Sequence, residues 1–346
     1  MSNVRIAAMV AAFCFLAALT VNAEDGLYRT IGEIRAVGQG GDVDSEGVHR
    51  AVATKDGFVY VLCDGGELLV FDGRSLDGKT DPAPVIEPIE AVSVRPRGRI
   101  GLLIVEDRLY CYGWEGGEVF DIDDPATPTL VGAFGDPSTH VSDLLVHEGH
   151  LVAACHERIL VYALDTTIDY PTLVAEMRLE AGKYAYALCV VGDRLCATGF
   201  RRRQSGEIAY WLGVWDFAMP ERPSLVRIVA TEDRGYRVVS VEGYLLAVSE
   251  RRAELWKVDG EKPDLIEAIP VSGNSVALDG DVVVLDRVAL TVREERVEVL
   301  GAVDCGADLC HASLPRLGAA EEPLVVLPRT ASVAVLQRCE EVEDSS

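Results

Sequence analysis

The sequence has 346 residues, a formal net charge of −24 and a pI near 4.6, and hydrophobic residues make up 49% of it. This content is enough to bury a large core, so the length allows two domains or one large all-β domain. The negative charge repels phosphate backbones and anionic lipid headgroups, because long-range fields follow the sign of the net charge. We therefore predict that nucleic acid is not a partner.

The N-terminus has the layout of a cleavable secretory signal. One arginine precedes an apolar run from about Ile6 to Leu19, and Val21-Asn22-Ala23 provides a small-x-small exit. The run is shorter than the roughly 20 residues that span a bilayer. We predict a signal peptide over 1–23 that is cleaved after Ala23, no membrane insertion of the mature chain, and a secreted or periplasmic location.

A repeated pattern covers the chain from about residue 51 to residue 269. In each copy an apolar run ends in an aromatic residue, a polar turn follows, and a proline then precedes an aliphatic pair. The aromatic residues are Phe71, Phe120, Tyr162, Trp215 and Trp256, and the prolines are Pro84, Pro128, Pro171, Pro223 and Pro263. Successive prolines are 40 to 52 residues apart, which is a period typical of β-propeller blades.

Upstream of each aromatic residue, two apolar segments flank a tight turn. The pairs Asp56-Gly57, Glu148-Gly149, Gly192-Asp193 and Glu242-Gly243 suit the positive φ angles of two-residue hairpin loops. Each unit is therefore predicted to form four antiparallel strands. Strands a and b flank the hairpin turn, strand c ends at the aromatic residue, and strand d follows the proline.

The units together predict an all-β fold, a seven-bladed β-propeller, with six or eight blades as alternatives. Five units are clear, a sixth covers about 272–303, and a seventh covers about 304–339 with one strand missing. The segment "GLYRTIGEIRAVG" at 26–38 can join the last blade as its outer strand, which closes the ring and removes open sheet edges. We predict one propeller domain over 24–339 and an acidic disordered tail over 340–346.

Two of the repeats carry a family resemblance. "VFDIDDPATPTLVG" at 119–132 and "VWDFAMPERPSLV" at 214–226 resemble the LVIVD-repeat family of exported bacterial and archaeal propellers, and more broadly the periplasmic propellers related to YncE. The resemblance covers about residues 51–269, and the fifth unit departs from it, with "KVDGEKPDL" where the family has Asp-Pro. It implies the fold and export, and it implies no particular chemistry.

One motif suggests nucleotide binding but lacks the structural setting that this function needs. Gly73, Gly78, Lys79 and Thr80 satisfy the phosphate-loop pattern G-x-x-x-x-G-K-[ST]. A phosphate loop needs a helix after it, whereas three prolines follow within the next eight residues. We interpret the match as a false positive that marks the loop between strands c and d of the first unit.

The cysteines suggest disulfides rather than a cofactor. Cys305 and Cys310 are too far apart for the C-x-x-C-H haem motif, and a local disulfide between them is favoured over free thiols or pairing with Cys339. Cys189 and Cys196 are placed symmetrically about a hairpin turn, so they should face each other, and whether they pair is left open.

The other candidate ligands also favour a chain without a cofactor. The histidines lack metal-ligand spacing, and turn formation explains the Asp121, Asp123 and Asp124 cluster better than Ca²⁺ binding does. We predict neither a metal nor a cofactor.

A partner-binding patch is predicted on one face of the ring. The b–c connection of the fourth unit carries three arginines, and b–c and d–a loops open on the same face. The predicted residues are Arg201, Arg202, Arg203, His140, Tyr184, Tyr186, Arg234, Tyr236 and Asn274. Guanidinium groups and aromatic rings suit a carboxylate, a phosphate or an acidic segment. The alternative is a solvated loop whose arginines pair with nearby glutamates.

These observations predict an exported, non-enzymatic propeller that binds a protein, peptide or polysaccharide on its loop face. One alternative is a periplasmic hydrolase or lyase with its site at the channel mouth, and another is a surface or assembly component. The enzyme alternative is less favoured, because no convergent acid/base pair is visible in the sequence. The sequence leaves the oligomeric state open.

Overall fold

In the computed structural model, the described residues form seven four-stranded β-sheets. They are residues 28–34, 50–63, 66–74, 85–86, 88–96, 101–135, 139–164, 171–203, 205–233, 235, 237–249, 251–271, 276–279, 281–285, 288–302, 324–328 and 333–338. Six sheets are antiparallel throughout, and the seventh contains one parallel pair. Within these residues no helix is long and apolar enough to cross a bilayer.

The strands are numbered in chain order. The first strands are β1 (Tyr28–Ile34), β2 (Arg50–Lys55), β3 (Phe58–Cys63), β4 (Glu67–Asp72), β5 (Val85–Ile86), β6 (Glu90–Ser93), β7 (Gly101–Val105), β8 (Arg108–Gly113), β9 (Gly116–Asp121) and β10 (Thr129–Phe134). The next are β11 (Val141–His147), β12 (His150–Cys155), β13 (Arg158–Ala163), β14 (Thr172–Arg178), β15 (Lys183–Val191), β16 (Arg194–Arg202), β17 (Ile208–Asp216) and β18 (Ser224–Thr231). The last are β19 (Arg237–Val241), β20 (Tyr244–Val248), β21 (Ala253–Lys257), β22 (Asp264–Ile269), β23 (Val276–Asp279), β24 (Val282–Leu285), β25 (Val288–Arg293), β26 (Arg296–Ala302), β27 (Leu324–Pro328) and β28 (Val333–Arg338).

The sheets are arranged in a ring. In the order a to d, sheet one contains β2, β3, β4 and β6, and sheets two to six contain β7–β10, β11–β14, β15–β18, β19–β22 and β23–β26. Sheet seven contains β27, β28, β1 and β5. The a strands contact one another in a closed cycle, from β2 through β7, β11, β15, β19, β23 and β27 back to β2. This arrangement confirms the predicted β-propeller.

The N-terminal strand joins the last sheet, as predicted, but it occupies a different position. β1 pairs antiparallel with β28 and parallel with β5, so it is the third strand of sheet seven and not the outer one. The outer position is taken by Val85–Ile86, which was expected to begin strand d of sheet one. That strand is instead Glu90–Ser93. The first unit has the longest segment between its aromatic residue and its proline, so its chain can reach the neighbouring sheet.

The predicted hairpin turns are confirmed. Asp56, Glu148, Gly192 and Glu242 have φ angles of 51°, 46°, 54° and 50°. These angles lie in the left-handed region that two-residue hairpin loops require. In several sheets the residue that follows strand c then donates its backbone N–H to the second turn residue, as Phe217 does to the Asp193 carbonyl at 2.8 Å. The turn therefore also fixes where strand c ends.

The core lies between neighbouring sheets and not within any one of them. One apolar cluster joins Tyr60 and Leu62 of sheet one to Leu109 and Phe120 of sheet two, and similar clusters link each consecutive pair through to sheet six. In sheets one to six, strands b and c are buried along most of their length and so can be apolar on both faces, as in the fully buried "FVYVLC" of β3. A single repeat cannot bury its apolar faces without its neighbours.

The outer strands share a β-bulge and an exposed leucine. In sheets two to five, one leucine pairs in register with the strand-c aromatic residue, and the next residue of the outer strand is skipped in the pairing. The leucines are Leu130, Leu173, Leu225 and Leu265, and their exposed fractions lie between 46% and 57%. A bulge increases the local twist of the strand, so the outer edge of each sheet turns away from its neighbours.

Candidate functional site

The candidate site lies on the face of the ring where the b–c turns and the loops between sheets open, which we call the loop face. In sheet two the b–c turn carries Trp114, and in sheet three it carries His156. His140 lies just before β11 on the d–a connection, and Tyr184 and Phe200 lie opposite each other on β15 and β16. Three consecutive sheets therefore contribute aromatic side chains to this face.

These five side chains form a continuous series of ring contacts, which we call the aromatic row. The ring centroids of Trp114 and His140 are 5.9 Å apart, those of His140 and His156 are 4.7 Å apart, and those of His156 and Tyr184 are 5.4 Å apart. All three contacts are edge-to-face, the geometry that ring quadrupoles favour. Tyr184 stacks on Phe200 at 5.0 Å, which ends the row at the arginine-bearing connection.

Two imidazoles at the centre of the row share a hydrogen bond. His140 Nδ1 lies 2.8 Å from His156 Nε2. One nitrogen must donate and the other must accept, so at least one ring is neutral. Although His156 is exposed, partial desolvation of its ring lowers the pKa below its usual 6.5, Glu157 opposes this effect, and Arg158 adds to it. The lowered pKa thus favours the uncharged form of His156 at neutral pH.

Backbone hydrogen bonds between sheets hold the row in place. Gly116 N–H donates to the Thr139 carbonyl at 2.9 Å, which ties the turn of Trp114 to the loop of His140. Ala185 N–H donates to the His156 carbonyl at 2.9 Å, and Gly182 N–H donates to Glu157 Oε1 at 2.6 Å. Four of the five rings therefore project from backbone that is bonded to a neighbouring sheet at the same residue or within two residues of it, so the row is presented as a preformed surface.

The three predicted arginines lie beside the end of the row, and two of them are ion-paired. Arg201 lies 3.4 Å from Glu180, which also lies 3.3 Å from Lys183, and Arg203 lies 2.9 Å from Glu207. All three arginine side chains are exposed. The pairing matches the alternative interpretation of this loop, in which the arginines pair with nearby glutamates. Exposed ion pairs are weak, at about 0–1 kcal/mol each.

The other predicted site residues are distributed as follows. His140 and Tyr184 belong to the aromatic row and are joined through His156. Tyr186 lies at a register shift of β15 and packs against the core cluster between sheets four and five, away from the row. Arg234, Tyr236, Asn274, Cys305 and Cys310 lie outside the described residues.

Cys189 and Cys196 face each other across β15 and β16, as the sequence predicted. Both side chains are buried as thiols, and Cys189 Sγ donates to the Val190 carbonyl at 3.6 Å. Strand pairs alternate outward from the two-residue turn, which makes this a hydrogen-bonded pair and so a poor site for a disulfide. Burial also raises the pKa of Cys196 well above its usual value.

Gly73 and Arg74, the first residues that match the phosphate-loop pattern, make packing contacts within sheet one. A strand, β4, precedes Gly73, and Gly73 N–H donates to the Gly57 carbonyl at 2.9 Å. The Arg74 guanidinium lies 4.5 Å from the Phe58 ring centroid and bonds Asp72. The Gly73 N–H and the Arg74 side chain thus contact the a–b hairpin of their own sheet. Gly78, Lys79 and Thr80 lie outside the described residues.

The aspartate cluster at the end of β9 is occupied by turn contacts. Asp121 accepts from Asp123 N–H at 2.9 Å and pairs with Arg108 at 2.8 Å. Asp124 accepts from Ala126 N–H and from the Thr127 hydroxyl. Across the part of the chain that the structure describes, no three His, Cys, Asp or Glu side chains are grouped so that they could hold a metal ion.

Sequence reasoning missed three members of the row, namely Trp114, His156 and Phe200. Trp114 carries the clearest signal, because an indole in a tight turn after strand b has no place in the repeat pattern. His156 adopts a φ of 41°, which marks it as a turn residue, but nothing in the sequence indicates its contact with His140. Phe200 lies at the end of an apolar strand and gives no separate signal.

Comparison with known proteins identifies the fold but no family. No family model and no curated protein matches the sequence. Among solved structures, the crystal structure of the β-propeller domain of Cps50 (Swd1) from Myceliophteria thermophila is similar, with a TM-score of 0.56 and 11% sequence identity. The match covers 89% of this chain and 98% of that domain. At this level of identity the similarity shows that the chain is a β-propeller.

Proposed function

We propose that the protein is an exported binding module that holds a protein, peptide or polysaccharide partner on the loop face of its propeller, with the aromatic row at the centre of the site. The fold supports a binding role, because rigid scaffolds commonly carry their binding residues on loops. Export is supported by the N-terminal sequence, with its apolar run and its small-x-small exit at Ala23.

The observation that carries the proposal is the exposure of Trp114. Its side chain is 54% exposed, whereas Trp211, Trp215 and Trp256 are between 3% and 7% exposed. An exposed indole adds nothing to the core, and aromatic anchors of this kind dominate the energetics of binding surfaces. The rings behind it are held by backbone bonds between sheets. A partner would therefore meet a surface that costs little to order.

Partner capture by matched variants tests the proposed site. The mature chain, immobilised, is exposed to envelope and culture-medium fractions of the source organism. Trp114→Ala should lose the captured partner, and Leu130→Ala should retain it, because Leu130 is exposed to the same degree, at 55%, but lies on an outer strand. Equal capture by both variants would show that the row is not the site.

Export is tested by fractionating cells of the source organism. After fractionation, the protein should be recovered outside the cytoplasm with an N-terminus at Glu24. A cytoplasmic protein that retains Met1 would contradict this part of the proposal.

A further inference from the structure

We propose that the partner held by the aromatic row is a neutral glycan, an inference that rests on the proposed function and narrows it. Three features of the described loop face support this choice: the ring surface that it offers, the internal pairing of its charges, and its scarcity of aliphatic side chains.

The row offers the chemistry that a sugar ring needs. A pyranose has one face of C–H groups, which packs on an aromatic face, and an edge of hydroxyls, which exchanges hydrogen bonds with polar neighbours. Trp114 supplies an exposed indole, and His156 supplies an exposed imidazole. His140 lies between these two rings in the row. A linear oligosaccharide could therefore contact the indole and the imidazole together.

Several of the charged groups beside the row already have partners, although the exposed Arg202 is not one of them. Glu180 lies between Lys183 and Arg201, Arg203 pairs with Glu207, and Glu157 accepts a backbone N–H. A charged partner would have to replace these contacts, whereas a neutral one leaves them in place. The net charge of −24 also opposes an anionic glycan, since long-range repulsion acts before contact is made.

Most of the exposed aliphatic side chains lie elsewhere on the molecule. Leu130, Leu173, Leu225 and Leu265 project from the outer strands. Of the described large hydrophobic residues that are exposed, Trp114 and Ile208 are the ones on the loop face. A stable protein interface has a larger apolar core than these two side chains provide. The part of the loop face that the structure describes therefore suits a ligand that needs rings and polar groups but little aliphatic surface.

Tryptophan fluorescence gives a direct test, because three of the four tryptophans are buried and Trp114 is the exposed one that acrylamide can reach. The full mature chain is titrated with four probes: cellohexaose, chitohexaose, oligogalacturonate as the anionic comparison, and hexalysine as the cationic peptide. We expect at least one neutral oligosaccharide to change the emission saturably and to shield Trp114 from acrylamide. Oligogalacturonate and hexalysine should do neither.

Variants then locate the binding site by calorimetry, which does not depend on the indole signal. Trp114→Ala should weaken oligosaccharide binding at least about tenfold, Trp114→Phe should retain part of it, and Leu130→Ala should leave it unchanged. Because Trp114 is exposed, unchanged thermal unfolding of the variants should show that they remain folded.

Several outcomes would overturn the inference. They are the absence of a response to both neutral oligosaccharides, a response to hexalysine or oligogalacturonate alone, and equal oligosaccharide binding by wild type and Trp114→Ala. If a protein partner is still captured in a Trp114-dependent manner while the oligosaccharides fail, the proposed function stands and the glycan inference is wrong. If wild type captures no partner in a way that depends on Trp114, the proposed function itself is contradicted.

Discussion

The hydrogen bond between His140 and His156 makes the aromatic row sensitive to protons. Two imidazoles that share one hydrogen bond can take up a single proton between them without breaking it, whereas a second proton would set two N–H groups against each other. Glu157 and Arg158 face His156 from its own turn and strand, and Tyr184 contacts it from sheet four. The hydrogen bond at the centre of the row therefore persists as long as one of the two rings is neutral.

Acidification should therefore destabilise the protein through His156. Its folded-state pKa is lowered, mainly by burial, so as the pH falls below about 6.5 the unfolded chain takes up the proton first. The stabilisation is complete above the unfolded pKa and is lost as the pH falls through the folded one. Urea unfolding at pH 7.5 and 5.5 should show a difference in stability between wild type and His156→Gln that shrinks in acid. A difference that is independent of pH would contradict this assignment.

Gly199 is fixed by the close approach of neighbouring atoms. A Cβ at this position would lie 2.0 Å from the Tyr184 carbonyl oxygen and 2.5 Å from Trp211 Cζ2. Gly199→Ala should therefore lower the free energy of unfolding by about 1–3 kcal/mol, and it should disturb the adjacent Tyr184 ring. Gly260→Ala is the matched control, because its nearest neighbour is 3.6 Å away, and it should change stability by less than about 0.5 kcal/mol. Equal unfolding midpoints for the two variants would rule out the steric explanation.

At the scale of elements, local signals in the sequence were sufficient for most of each sheet. The turn pairs predicted the hairpins because positive φ is a property of the few residues in the turn, as at Asp56 and Glu242. The switch of Val85–Ile86 to sheet seven could not be predicted in the same way, since it depends on a partner strand at the other end of the chain. A local pattern specifies a strand but not which sheet receives it.

Asp143 on β11 couples three consecutive sheets. It accepts from the Tyr112 hydroxyl of sheet two at 3.4 Å, from its neighbour Leu144 N–H at 3.0 Å, and from Leu188 N–H of sheet four at 2.7 Å. The residue before it, Ser142, sits at a register shift and donates to the Ala185 carbonyl at 2.8 Å. One short segment thus links sheets that share no strand pairing.

Replacement of Asp143 should weaken this coupling. Asp143→Ala removes the acceptor for two backbone N–H groups and should cost about 1.5–3 kcal/mol of stability, the range for hydrogen bonds to charged groups. Asp143→Asn keeps one acceptor oxygen and should cost less. Asp123→Ala, at an exposed turn, is the control and should leave the chemical unfolding midpoint unchanged. If Asp143→Ala and Asp123→Ala have the same chemical unfolding midpoint, the Asp143 carboxylate does not contribute to the packing of the sheets.

At the scale of the whole molecule, the ring explains why the fold was easier to predict than the site. The repeat period and the buried aromatic residues predicted the propeller, because every unit carries the same information. The aromatic row is built once, from five side chains on three different sheets, and its contacts depend on how those sheets pack. His140 and Tyr184 were reached by the rule that b–c and d–a loops share a face, but the residues between them were not.

Closure of the ring gives a prediction for the whole chain. β1 is the third strand of sheet seven and lies between β28 and β5. A chain that begins at residue 35 lacks β1. It therefore leaves one edge of β28 unpaired, and it leaves β5 without the only strand that β5 pairs with among the described residues. It should unfold at lower urea concentration than a chain that begins at residue 24 and should self-associate, because an exposed strand edge recruits other strands.

Equilibrium unfolding and solution mass measure these two effects, and adding the peptide that spans residues 26–38 in trans should reverse both. The rescue separates ring closure from a general cost of truncation, since a free peptide can restore only the missing strand. A chain from residue 35 that stays monomeric, with an unchanged midpoint and no response to the peptide, would show that the remaining sheets hold the ring closed without the N-terminal strand.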